Sequence, residues 1–176
     1  TPRKVLPLAR LRRLVPALQR LGLKVATTNG TFDLLHVGHI RYLERAKTLA
    51  DVLIVAVNGD ASVRRQKGPG RPVLPARERA EILAALGCVD HVAVFNDLTV
   101  LPVLKALRPD VHVKGGSFLP ERVRDERVLV ESWGGRMVTL PLTAGKSTTE
   151  IVDRIRGNGR MAPRGPTRGK TAARTR

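Results

Sequence analysis

The sequence predicts an α/β fold, a doubly wound parallel sheet of five strands with helices on both faces, and three observations carry that expectation. Apolar runs of strand length alternate along the chain with longer segments of helical period, the pattern of repeated βα units. Hydrophobic residues make up 42% of the chain but aromatics only 3%, so the core must be aliphatic, as it is where strands are covered on both sides. The length of 176 residues suits one ordinary domain with a substantial core and is short for two.

The elements follow in order. Leu8, Leu11, Leu14, Val15, Leu18 and Leu21 recur at helical spacing with Arg10, Arg12, Arg13 and Arg20 between them. This predicts a basic N-terminal helix within 1–24 that packs on its own domain and ends at Gly22. The domain itself is expected over 25–156. Strands are expected at 24–28, 52–58, 91–95, 111–114 and 136–140, and helices at 37–50, 76–86, 99–107, 121–132 and 148–156. Ile40, Leu43 and Ala46 or Lys47 mark the inner face of the second helix, and Ala80, Leu83, Ala84 and Leu86 that of the third. In such sheets ligands bind beyond the carboxyl ends of the strands, where the strand order reverses. The segment 157–176 carries Gly, Pro and Arg throughout and almost nothing to bury, so a disordered basic tail is expected.

The formal net charge is +17, and its distribution decides what it means. Residues 1–24 hold seven Lys or Arg and 157–176 hold six, with no acid in either, which leaves 19 bases against 15 acids between them. With the charge at the ends and few aromatics to stack on bases, nucleic acid is not expected as the main partner. No apolar run approaches the roughly 20 residues of a membrane span, and the start lacks a signal peptide's apolar stretch, so a soluble, cytoplasmic protein is expected. The single cysteine, Cys88, follows the apolar run 82–86. It cannot form an internal disulfide, which suits a reducing compartment, and it reads as a small buried hydrophobe.

The chemistry concentrates after the first strand, which ends in Thr28-Asn29-Gly30-Thr31-Phe32-Asp33 before His36-Val37-Gly38-His39 opens a helix. Two imidazoles and several backbone N–H groups thus meet at the positive end of a helix dipole, an anion site suited to a polyphosphate. The spacing of three lets both histidines point to one side of the first turn, and Gly38 lets a ligand approach the backbone. Zinc would need further Cys or His ligands. The remaining histidines, His91 and His112, fall in expected strands, so no metal site is expected in the protein.

The run NGTFDLLHVGHIRYLERAKTLADVLIVAVNGDAS resembles the opening of the HxGH nucleotidyltransferases, the superfamily that includes the glycerol-3-phosphate and choline-phosphate cytidylyltransferases. Gly145-Lys146-Ser147-Thr148-Thr149-Glu150-Ile151 resembles the S-T-T element at the start of that superfamily's last helix. Over roughly 8–156 the chain is most similar to the heptose 1-phosphate adenylyltransferases of ADP-heptose synthesis. The marks are the helix before the first strand, Asp60-Ala61-Ser62, Lys67-Gly68, Arg71-Pro72-Val73, Arg79, Pro109-Asp110 and Val113-Lys114-Gly115-Gly116. Thr31, the stretch from Asn96 to Val100, and Ser117 depart from that pattern. Thr31 instead matches the G-T-F-D of the glycerol-3-phosphate enzymes.

The resemblance implies a Rossmann-like nucleotidyltransferase fold and a reaction in which the acceptor's phosphate attacks the α-phosphorus of an NTP in line, expelling pyrophosphate. Positioned donors then matter more than a base. It implies that His36 and His39 donate to phosphoryl oxygens and that Lys67, on a glycine-rich loop 67–70, closes over the phosphates. Thr31, Phe32, Gly38, Gly145, Ser147 and Thr148 would hold the nucleotide, although Ser147 and Thr148 also suit a plain helix cap. Asp33, Arg79, Lys114 and Gly115 would meet the acceptor, with Asp33 equally readable as a turn residue. The implied partners are ATP and a sugar phosphate, Mg²⁺ would arrive with the NTP, and a homodimer stays open.

Overall fold

A computed structural model describes residues 1–116, 120–141 and 147–157 of the chain. Five parallel strands form one sheet in the order β3-β2-β1-β4-β5, with β1 at Val25–Gly30, β2 at Val52–Asn58, β3 at His91–Phe95, β4 at Val111–Gly115 and β5 at Arg136–Leu140. The chain runs outward from β1 through β2 to β3, then returns to the other side of β1 for β4 and β5. The reversal lies between β1 and β4, where Ala26 pairs with Val111 and Thr28 with Val113. The crevice for a ligand therefore opens beyond Gly30 and Gly115.

Alternation along the strands divides the core in two. Leu53, Val55 and Val57 of β2 join Ala26, Val92, Val111 and Val113 on one face, under helices α2 (Val37–Lys47) and α4 (Ala76–Ala85). Ile54 and Ala56 point the other way, with Val25, Ala93 and Phe95, toward α1 (Leu8–Arg20), α5 (Leu101–Leu107) and α6 (Arg124–Glu131). The sheet is thus doubly wound, and its inner strand β2 reads as an unbroken apolar run from Val52 to Val57 because both faces are covered.

Several expected details shift. In α1, Leu11 and Val15 are fully buried, but Leu21 lies past the helix end and is 77% exposed. Gly22 takes a positive φ of 81° just beyond it. The inner face of α2 is Tyr42, Leu43 and Ala46, with Ile40 only partly covered. A helix that the periodicity did not show, α3 at Asp60–Lys67, follows β2, because only Ser62 and Val63 are buried and its apolar signal is weak. Cys88 is partly buried against the α2–α4 core, and burial raises its thiol pKa. Beyond Gly157, the tail expected to be disordered lies outside the described residues. Among the described residues no helix is long and apolar enough to cross a membrane.

Candidate active site

The site is built where β1 hands over to α2. Phe32 turns the chain with a left-handed φ of 46°, unusual for a residue with a side chain. Its ring lies over Gly30, where a Cβ would stand 3.0 Å from the ring edge, so any larger residue there would press on the ring. The same ring meets His39 edge-on, with centroids 5.4 Å apart. Among the described residues the amides of Thr31 and Phe32 meet no acceptor, which leaves them to a ligand.

His36 is the N-cap of α2 in extended conformation, and its carbonyl accepts from the amides of His39 at 2.9 Å and Ile40 at 3.3 Å. The first-turn amides of Val37 and Gly38 are left without intrahelical acceptors. The two imidazoles stack with centroids 3.9 Å apart at 23°. Burial, then the neighbouring His36 and Lys67, push the His39 pKa down to about 4. The ring is therefore neutral near pH 7 and offers one N–H donor to an anion. Its Nδ1 is buried and has no partner among the described residues.

A pocket of about 180 Å³ is lined by Asn29, Gly30, Thr31, Phe32, Asp33, His39, Tyr42, Lys67, Gly115 and Thr148. It gathers Thr31, Phe32 and Thr148 from the residues expected at the nucleotide, together with His39 and Lys67, while His36, Gly38 and Ser147 do not line it. Lys67 is the last residue of α3 rather than part of a loop, and Gly68, at φ 83°, ends that helix. Partial burial, with Arg71 adding to it, lowers the Lys67 pKa. Thr148 opens α7 (Thr148–Ile155) and donates to the Leu34 carbonyl at 3.3 Å, which ties that helix to the His36 turn. Ser147 spends its hydroxyl on the cap: it accepts from the Glu150 amide at 3.1 Å, and Glu150 accepts from the Ser147 amide at 3.0 Å. Gly145 lies outside the described residues.

Two residues expected at the acceptor have other work. Arg79 is fully buried and donates to the carbonyls of Leu74 and Thr31 and to the Asp60 carboxylate. It braces the Thr31 turn from beneath and has no surface to offer a substrate. Asp33, equally buried in its side chain, accepts from Arg71 at 2.7 Å and from the amides of Val73 at 2.7 Å and Leu74 at 3.1 Å. It anchors the segment between α3 and α4. Burial raises its pKa, but the Arg71 and amide hydrogen bonds outweigh that and hold it below the usual carboxylate value.

At the reversal Lys114, expected at the acceptor, meets residues that were not expected at the site. Lys114 donates to Asn29 Oδ1 at 2.8 Å and to Glu126 Oε1 at 2.7 Å. Glu126 Oε2 stands 3.5 Å from His112 Nε2, and His112 Nδ1 lies 2.9 Å from Thr27 Oγ1. Beside them Tyr42 Oη lies 2.6 Å from Thr28 Oγ1 and donates to the Val113 carbonyl at 3.0 Å. Glu126 sits on α6, and no local pattern marks it; Asn29 and Tyr42 sit inside the HxGH region, where attention goes to the histidines.

Comparison with known proteins places this geometry. A family model described as cytidylyltransferase-like matches residues 27–154. The chain belongs to the cytidylyltransferase-like family. It is a nucleotidyltransferase of the HxGH superfamily, and its doubly wound sheet is that superfamily's fold. It is 51% identical over 145 residues to the bifunctional protein HldE of Syntrophotalea carbinolica, covering 82% of this chain and 29% of that protein. It is 50% identical over 153 residues to the bifunctional protein HldE of Geotalea uraniireducens, covering 87% and 31%. The chain thus spans under a third of the length of these curated relatives. Among solved structures, the lipopolysaccharide core biosynthesis protein of Thermoplasma volcanium superposes with a TM-score of 0.57 at 25% identity, covering 69% of this chain and 98% of that one. Pantoate-beta-alanine ligase from Francisella tularensis shares the fold, with a TM-score of 0.57 at 16% identity over 86% of this chain and 76% of that one.

Proposed function

We propose that this site transfers AMP from ATP to heptose 1-phosphate or a closely related sugar 1-phosphate, releasing pyrophosphate and forming an ADP-sugar. The observation that carries the reading is the stacked His36–His39 pair at the N-terminus of α2, with a neutral His39 lining a pocket that Lys67 and Thr148 also line. The roughly 50% identity to bifunctional HldE proteins supports the choice of acceptor. The pocket is smaller than the roughly 300–1,000 Å³ that hold whole ligands, so it suits phosphate groups, with base and sugar lying beyond it.

In this mechanism the acceptor's phosphate oxygen attacks the α-phosphorus, the bond to the bridging oxygen breaks, and pyrophosphate leaves. The imidazole N–H donors of His36 and His39, the Thr31 and Phe32 amides and the α2 dipole stabilise the charge that builds on the phosphoryl oxygens. Lys67 neutralises charge on the leaving pyrophosphate. Mg²⁺ would enter on the triphosphate and supply further charge neutralisation there. Asp33, the one acidic residue lining the pocket among those described, is already committed to Arg71 and two amides, so the phosphates rather than the protein would hold the ion.

A pyrophosphate-release panel that crosses ATP, CTP and GTP with heptose 1-phosphate, other sugar 1-phosphates and glycerol 3-phosphate tests this reading. ATP with a heptose 1-phosphate or a near relative is expected to give the highest kcat/KM. Efficient turnover of CTP with glycerol 3-phosphate would overturn it.

A further inference from the structure

The residues around Lys114 form a buried polar chain that runs Thr27–His112–Glu126–Lys114–Asn29 and ends in the pocket wall. Its consequence follows from donor and acceptor counting. An ammonium has three donors and no acceptor, so the carboxamide of Asn29 must turn its oxygen to Lys114. The amide nitrogen is thereby forced to the other side. Among the described residues Asn29 Nδ2 meets no acceptor, and the residue is only partly buried. The nitrogen therefore keeps two N–H donors for whatever fills the pocket.

We propose that Asn29 is a substrate-binding residue that donates from Nδ2 to a phosphoryl oxygen, and that Glu126 is a positioning residue that fixes the carboxamide's orientation through Lys114. This inference rests on the nucleotidyltransferase reading of the pocket. Lys114 is 12% and Glu126 15% exposed in their side chains, so their ion pair is shielded from solvent and holds one geometry better than a surface pair does. His112, fully buried on β4, lies against the second oxygen of Glu126, and Thr27 meets the far ring nitrogen. His112 Nε2 and Glu126 Oε2 make no hydrogen bond at that distance, so the carboxylate is held through its short contact with Lys114.

Asn29→Asp tests the proposal cleanly. The carboxylate keeps the shape and still accepts from Lys114, but it presents an oxygen where the donor stood, and with it a negative charge facing phosphate. The expected result is an unchanged melting temperature with KM raised tenfold or more for one phosphoryl substrate. A rise in the KM for ATP assigns the contact to the nucleotide, and a rise in the acceptor KM assigns it to the acceptor phosphate. Unchanged KM for both overturns the proposal. Glu126→Gln removes the charge that holds Lys114 and is expected to raise the same KM severalfold with little change in kcat; a fall in kcat alone would contradict the positioning role. Should the wild-type protein turn over no pair in the panel, the functional reading fails. The inference is then tested by the Asn29 side-chain NH₂ signal in a ¹⁵N correlation spectrum titrated with ATP and with inorganic pyrophosphate. A saturable shift supports the contact, and a signal that stays fixed while other pocket resonances move overturns it.

Discussion

At the scale of single residues, the proposed mechanism relies on groups that stay neutral or donate where phosphoryl charge develops. His39→Ala removes one such donor. Its kcat is expected to fall on the order of a hundredfold or more with the melting temperature retained, as losing an oxyanion donor does elsewhere; near-normal turnover would make His39 structural. The same ring is expected to titrate near 4 in an NMR pH series, well below the 6.5 of a free imidazole, because burial and its neighbours disfavour the cation. A midpoint near 6.5 would show that the ring is open to solvent. Arg79 behaves differently. Arg79→Met takes the donor from the partly buried Thr31 and Leu74 carbonyls and one of the donors from the Asp60 carboxylate, which keeps the Ala76 amide, and an unsatisfied buried group costs about 1–3 kcal/mol. Chemical denaturation is expected to show a loss on the order of 3 kcal/mol.

At the scale of elements, Asp33 links the β1–α2 turn to the segment that leads into α4, and its effect depends on pH in a definite direction. Its folded pKa lies below the unfolded value of about 3.8, so the unfolded chain binds the proton more readily. The stability it contributes is complete above that value and disappears as pH falls through the lowered folded pKa. Asn at this position keeps the shape without the charge. Asp33→Asn is therefore expected to be less stable than wild type at pH 7, with the difference shrinking as pH falls below about 3.8; a constant difference would contradict the ionic anchor. The five strands and the HxGH helix were legible in the sequence because long apolar runs and a glycine-marked turn are local signals. Helix α3 was not, since only Ser62 and Val63 of its eight residues are buried. For that reason Lys67 was expected on a loop. The sequence also could not show that Arg79 and Asp33 are consumed by internal partners. Their partners lie up to 48 positions away, and an arginine or aspartate near a motif looks the same whether it faces inward or toward a substrate. Glu126 belongs to the same class, visible only once β4 and α6 are packed.

At the scale of the whole molecule, the chain carries +17 and acts on anions. A field of one sign raises the local concentration of phosphorylated substrates, and salt screens it. kcat/KM is expected to fall severalfold between roughly 20 and 200 mM salt while kcat holds; a flat profile would mean that the basic ends play no part in capture. The segment 158–176 contributes charge but almost no apolar surface, so its deletion is expected to leave the melting temperature unchanged. The central claim is that the paired histidines serve attack at the α-phosphorus. The most direct test follows ³¹P NMR spectra of wild type and His39→Ala incubated with ATP, Mg²⁺ and heptose 1-phosphate. Wild type is expected to build a pyrophosphate resonance together with the paired signals of a sugar-linked diphosphate, and the variant to build neither on the same timescale. Accumulation of ADP or orthophosphate without pyrophosphate would contradict the account.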